Sequence, residues 1–289
     1  MNFINNIKSI YLKFYFKFKK KLLFKDKYGL SYYLYKNTRP LGTIIRGART
    51  DDSSVLYIID KILSSSSLND KNFTQCIDVG AYIGVATLMM SKTLQRIKKK
   101  WKVHAFEPIK ETFLKLEENI NLDPYKDNIK LNNLGVLDTS GIKTFKSYEH
   151  SPGENHLDDN NLDKYEDYII NKNIKVTSLG DYIKINEIKH ITICKIDTEG
   201  TDYLVIKGLH EYLKNKLIDY IIFEYHAPSH EKIKNILSTS GYSIYLMVRN
   251  EEILVDSFNN YPKKSKSLLN LIAVSSEKKD IFLKNFRME

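Results

Sequence analysis

Cysteine is scarce in this chain: two residues in 289, Cys76 and Cys194, each inside an apolar, strand-like run. So placed, they read as small buried hydrophobes in a reducing compartment, and a disulfide framework is excluded. Long apolar runs are absent as well. Nothing approaches the roughly eighteen uninterrupted apolar residues that a membrane span needs. Lysines interrupt every apolar stretch in the first thirty residues, which argues against a cleavable secretory signal. Acidic residues are almost missing from the N-terminus. Residues 1–50 hold twelve Lys and Arg against one acid, Asp26, while the other 239 residues hold 33 basic and 34 acidic side chains. The net charge of +10 therefore belongs to an N-terminal arm, and the neutral body lacks the basic track that nucleic-acid binding requires. Two nucleotide motifs are missing too. The absence of G-K-[ST] excludes a P-loop, and the absence of G-x-G-x-x-G disfavours a dinucleotide site.

What is present begins with an unusual arm. Residues 1–28 interleave Tyr11, Phe14, Tyr15, Phe16, Phe18 and Phe24 with Lys13, Lys17 and Lys19–Lys21. As a helix, this segment is apolar on most faces. It suits an anionic membrane surface, a packed or solubilising helix whose lysines reach outward or, as the remotest reading, contact with nucleic acid. Beyond it, Val55–Leu63 reads as a helix. Strands are expected at Cys76–Val79, Lys102–Phe106, Ile129–Asn133, Ile191–Ile196 and Tyr220–Phe223, with helices over about 85–97, 111–120 and 203–213 between them. A further helix and two closing strands follow at Ile233–Leu237, Ile244–Val248 and Leu268–Val274. Strand and helix alternate with short connections, which predicts a doubly wound α/β sheet. The exception is a polar region from about Asp138 to Asn173, expected as a long loop carrying substrate contacts. The domain reading is a basic arm and helical cap over 1–70, then a catalytic domain over 71–289 with an insert at about 138–175.

The segment FTQCIDVGAYIGVATL, residues 73–88, carries most of the functional information. A buried strand runs into three small residues, Gly80, Ala81 and Gly84, and then into a helix, which delivers backbone N–H groups and a helix N-terminus to a ligand. Gly80 permits a tight turn, and Gly84 lets the helix start close to strand or ligand. Asp78 precedes the glycine and would repel cofactor phosphates. Glu107, at the end of the next strand, is placed to accept hydrogen bonds from ribose hydroxyls. A cofactor with ribose and no phosphate fits both acids, and S-adenosylmethionine is the candidate.

A second cluster follows the later strands: Lys195, Asp197 and Glu199 on one, Glu224 and His226 on the next. The carboxyl ends of parallel strands open on one crevice, and residues i and i+2 of an extended segment share a side. Three carboxylates and an imidazole so gathered could act in acid–base catalysis, with His226 or Asp197 as proton acceptor. They could also hold Mg²⁺ or Mn²⁺, or only hydrogen-bond substrate or cofactor. The metal-free reading is preferred.

Four segments together, CIDVGAYIGVATL, VHAFEPIKETFLKLEENI, KIDTEGTDYLVIKG and IIFEYH, resemble the FkbM family of S-adenosylmethionine-dependent methyltransferases in order and spacing over residues 70–230. The resemblance implies a class I methyltransferase (Rossmann-like) three-layer sandwich, with a mostly parallel seven-stranded sheet whose last strand is antiparallel. It implies Asp78, Gly80 and Gly84 around the methionine end and ribose, and Glu107 on the ribose. Asp197 and Glu199 would lie near the methyl group and acceptor, and Glu224 and His226 in the acceptor pocket. Asn119 and Asn133 match positions that are often polar in the family. Asp202 keeps the charge of a family acid on a shorter side chain and is assigned to substrate binding.

The expected function is O-methylation of a sugar, glycan or glycolipid hydroxyl by a cytoplasmic enzyme, with peripheral contact of the arm to an anionic membrane. The alternatives are methylation of a small-molecule, natural-product or nucleic-acid acceptor and, further off, a nicotinamide-dependent oxidoreductase. Oligomeric state is left open.

Overall fold

Alternating apolar runs place a parallel sheet at the centre of the molecule, seen in a computed structural model that describes residues 12, 14–36, 38, 53–65, 73–97, 100–148, 156–157, 169–198, 200–225, 227–247, 253–254 and 270–286. Residues 14–18 are helical and lead to a hairpin, β1 (Lys21–Lys25) and β2 (Ser31–Tyr35), paired antiparallel. Helix α1 (Ser53–Leu63) precedes β3 (Phe73–Val79), α2 (Val85–Arg96), β4 (Lys100–Phe106), α3 (Lys110–Ile120) and β5 (Ile129–Asn132). After β6 (Gly135–Leu137), β7 (Gly141–Tyr148), β8 (His156–Leu157) and β9 (Ile169–Ser178) come α4 (Leu179–Ile185) and β10 (Ile191–Ile196). The chain continues through α5 (Asp202–Lys207), α6 (His210–Lys214), β11 (Ile218–Glu224), α7 (Ala227–Thr239), β12 (Tyr242–Met247), β13 (Ile253–Leu254), β14 (Asn270–Ser275) and α8 (Lys279–Asn285).

The main sheet runs β13-β12-β14-β11-β10-β3-β4-β5. Pairing is parallel from β11 through β10, β3 and β4 to β5. Strand β14 is inserted antiparallel between β11 and β12. Seven strands in this arrangement, the last one reversed, are the class I methyltransferase sheet that the resemblance implied. The two-residue β13 adds an eighth at the edge.

Two buried clusters fill the layers on either side, completing a three-layer sandwich. One face packs Val103, Ala105 and Trp101 against α1, α2 and α3, with Leu34 of the hairpin and Phe282 of α8 in the same cluster. The other packs Ile77, Val79, Phe106 and Ile196 against Leu179, Val205, Ile233 and Leu237 of the opposite helices. The alternation along each strand, such as Trp101, Val103 and Ala105 against Phe106, follows from the period-2 geometry of β structure.

Two expectations are corrected. Residues 21–35, read as part of a helical arm and its sequel, are a hairpin. Tyr35 donates to Glu118 Oε2 at 2.7 Å, and the Tyr33 N–H to Asn119 Oδ1 at 2.7 Å, which pins the hairpin to α3. The insert is not one long loop. β7 and β9 form a ladder from Gly141↔Val176 to Tyr148↔Ile169 within a four-stranded sheet, β6-β9-β7-β8. Among the side chains described, Phe145, Ile174 and Val176 of that ladder join a buried cluster with Ile109 and Leu137.

Candidate active site

The carboxyl ends of β3, β4, β10 and β11 lie side by side at one edge of the sheet, where open α/β sheets take their ligands. The turn after β3 is held by its own backbone: the Gly80 and Ala81 N–H groups both donate to Phe106 O, at 3.0 and 2.9 Å. Gly80 has φ +74°, and a Cβ there would lie 1.8 Å from Asp197 O. Only glycine permits that contact between the β3 and β10 turns. Gly84 (φ +92°) caps α2, and a Cβ would meet Leu116 Cδ1 at 2.7 Å. Its role is to let α2 and α3 approach.

Glu107 is buried at the end of β4. Its Oε2 accepts the Tyr82 N–H at 3.1 Å and its Oε1 the Ile109 N–H at 3.0 Å. Burial pushes its pKa up to about 8 against those two hydrogen bonds. Asn133 Nδ2 donates to the Glu107 and Pro108 carbonyls at 2.9 and 3.0 Å and fixes the turn. Asn119 Nδ2 donates to Ile83 O at 2.8 Å, joining the glycine turn to α3 and the hairpin.

Asp78 has no exposed surface. Its Oδ2 accepts the Thr87 hydroxyl at 2.6 Å, and its Oδ1 lies 3.1 Å from Lys195 Nζ. The same ammonium reaches Gly80 O at 3.3 Å and Asp197 Oδ2 at 3.4 Å. Lys195 is thus the hub of the site. Asp78 balances it from inside, while Asp197, with its side chain 36% exposed, receives it at the crevice surface. Two acids around one cation leave a local excess of negative charge. Sequence reasoning placed Lys195 in the cluster without a role; the signal available was a cation inside the otherwise apolar strand ITICKI.

Asp202, assigned to substrate binding, is fully buried. Its Oδ1 accepts the Thr198 N–H at 3.0 Å and the Thr198 hydroxyl, and its Oδ2 the Glu224 N–H at 3.2 Å. In that position it braces the Asp197–Gly200 turn against β11, within the frame of the site and away from its surface. Glu224 is buried at the end of β11. The structure therefore brings Gly80, Asp78, Lys195 and Asp197 together directly, Glu107 through Tyr82, and Asp202 with Glu224 on the adjoining turn. Glu199 and His226 lie outside the described residues. Among the described residues, no group of three or more His, Cys, Asp or Glu is placed to hold a metal ion.

A match to the Methyltransferase FkbM domain spans residues 78–244, from Asp78 through the whole crevice to β12. The chain belongs to the FkbM methyltransferase family. Methyltransferase sdnD of Sordaria araneosa is 23% identical over 194 residues, 58% of this chain and 73% of the relative. The crystal structure of Methyltransferase FkbM from Methylobacillus flagellatus KT superposes with a TM-score of 0.47 at 14% identity. That match covers 81% of this chain and 52% of the solved one, so the chain spans about half the length of that relative. The N-terminal domain of human METTL16 gives a TM-score of 0.43 at 12% identity, covering 76% and 68%.

Family and fold imply S-adenosylmethionine as cofactor, and the donor set of this FkbM chain fits it. Glu107 spends one lone pair per oxygen on backbone N–H groups and retains two for a ribose diol. The acid excess around Lys195 suits a cationic sulfonium.

Proposed function

We propose that this chain methylates a hydroxyl group of an uncharged small molecule or natural product, sugars and glycolipids included. Half-exposed Asp197, held 3.4 Å from Lys195 Nζ across from Gly80, carries the reading. S-adenosylmethionine supplies, when bound, an electrophilic methyl group on sulfur. Glu107 orients the ribose. Asp197 Oδ accepts the acceptor hydroxyl's proton, which stays on the carboxylate until water removes it. The Lys195 ammonium, itself fixed by Asp78 and Gly80 O, keeps that carboxylate aimed outward. Positioning supplies much of the rate, because methyl transfer needs the oxygen, carbon and sulfur nearly in line. Transfer of labelled methyl to a panel of sugars, glycolipids, polyketide alcohols and RNA, read by mass spectrometry, tests this. Label on an alcohol oxygen is expected, and label only on nitrogen or on RNA would overturn it.

Residues 71–289 are proposed to form the transferase domain, and 1–70 the arm and cap. Leu12 and Phe16 are buried in the core, while Phe14 and Phe18 are 61% and 73% exposed beside exposed Lys17, Lys19 and Lys20. An apolar wedge ringed by cations suits peripheral attachment to an anionic bilayer. Among the described residues, no helix is long and apolar enough to cross one. A cytoplasmic location is proposed because two cysteines buried within apolar strands suit a reducing compartment. Sedimentation with anionic liposomes at low salt should carry the protein down, and Phe14→Ser/Phe18→Ser should release it. No sedimentation of the unaltered chain would refute attachment.

A further inference from the structure

The sheet face that buries Ile77, Val79 and Phe106 changes character toward the amino ends of the same strands. On β3 the face continues through Phe73, and on β4 through Lys102 and His104, with Lys130 paired beside His104 on β5. Helix α4, which covers the apolar half, stops at Ile185, so the polar half is left under the loop 186–190 as a cleft of about 460 Å³. That volume lies within the range of small-ligand pockets, roughly 300–1,000 Å³. Its lining includes Lys102, Lys130, Lys189 and His190 against one acid, Glu187. Lys130 donates to Asn186 Oδ1 at 2.6 Å, and His190 pairs with buried Asp219 at 3.0 Å. None of the three lysines has a carboxylate within ion-pair distance among the described residues.

The floor of the cleft is pre-organised. His104 is 3% exposed and lies 2.9 Å from the Tyr182 hydroxyl, which donates to Asn132 Oδ1 at 3.2 Å. Burial, with Lys102 and Lys130 adding to it, lowers the His104 pKa to about 4. The imidazole therefore stays neutral while the cleft keeps a positive excess from its lysines. A sheet face in a three-layer fold is ordinarily apolar where it is covered, and three lysines lining one cleft there against a single acid give it a positive field that favours an anion.

We infer that this cleft is a second ligand site, at the opposite end of the sheet from the methyl-transfer crevice, for a phosphate-bearing ligand held by Lys102, Lys130 and Lys189. Phe73, 47% exposed at the rim, offers an apolar face to the rest of such a ligand. Pyrophosphate is the probe, followed in low salt by calorimetry and by NMR of the His104 and His190 imidazoles. Saturable binding that shifts both imidazoles is expected, weakened by about tenfold or more in Lys102→Ala/Lys130→Ala. Affinity for S-adenosylmethionine should be unchanged in that variant, which separates loss of the cleft from loss of the fold. Lys189→Glu, on the exposed loop, should weaken pyrophosphate binding likewise. Absence of saturable binding, or binding that moves neither imidazole and ignores these substitutions, would overturn the assignment.

Discussion

Replacing Glu107 by Gln removes one proton-binding group from a buried place without changing its size, and the consequence is a change in how stability depends on pH. The folded-state pKa of about 8 stands above the ordinary value of 4.5. A carboxyl group so raised adds stability that is fully present below about pH 4.5 and is lost as pH climbs through about 8. Two-state linkage with those values gives a loss of about 2 kcal/mol between about pH 6.5 and pH 8.5. Glu107→Gln should lack this loss. The amide cannot accept both the Tyr82 and Ile109 N–H groups, so the variant also carries a pH-independent penalty of about 1–3 kcal/mol. His104 and His230, both lowered to about 4 by burial, act in the opposite direction at acid pH. Their contribution is lost as pH falls from about 6.5, and it cancels in the difference between the two proteins. Urea unfolding at half-unit steps from about pH 6.5 to 8.5 measures that difference. A gap that does not change with pH would show that Glu107 is not held in its raised state, and the argument from its burial would fail.

Other substitutions test the remaining contacts. Gly80→Ala sets a Cβ 1.8 Å from Asp197 O at φ +74°, and should cost about 2–5 kcal/mol in denaturant unfolding; an unchanged midpoint would deny the close approach of the two turns. Lys195→Met leaves Asp78 charged and buried, costing about 3–5 kcal/mol. Adding Asp78→Asn should recover much of that, and no recovery would mean that the pair is not coupled. Asp197→Asn should leave cofactor affinity nearly intact while lowering turnover by about a hundredfold or more; normal turnover would remove it from the chemistry.

Strands β3, β4, β10 and β11 were legible because each is a mainly apolar run ending beside Gly, Asp or Glu, the signature of a strand buried on both faces. The same ends pointed to Gly80, Glu107 and Asp197 as candidates, since carboxyl ends of parallel strands are where ligands sit. Composition misled where packing depends on a few contacts. The hairpin at 21–35 was masked by Lys21 and Lys25 on either side of the short apolar run Leu22–Phe24, because only the partner strand and α3 reveal which side is inward. The β7–β9 ladder hides in a polar stretch for a similar reason. Asp78 and Asp202 look like crevice acids on paper, yet the hydroxyls and amides that consume them, from Thr87, Thr198 and the Glu224 backbone, come from positions that spacing along the chain does not bring together. Lys195 is the converse: a lone cation in an apolar strand whose meaning lies in the acid on the neighbouring strand.

Calorimetric titration with S-adenosylmethionine, beside NAD and against Glu107→Ala, bears most directly on the site. One equivalent of S-adenosylmethionine should bind, NAD should give no heat, and Glu107→Ala should weaken binding by about tenfold or more through loss of the buried hydrogen bonds to the ribose. Heat with NAD alone, or S-adenosylmethionine binding that is indifferent to Glu107, would contradict it.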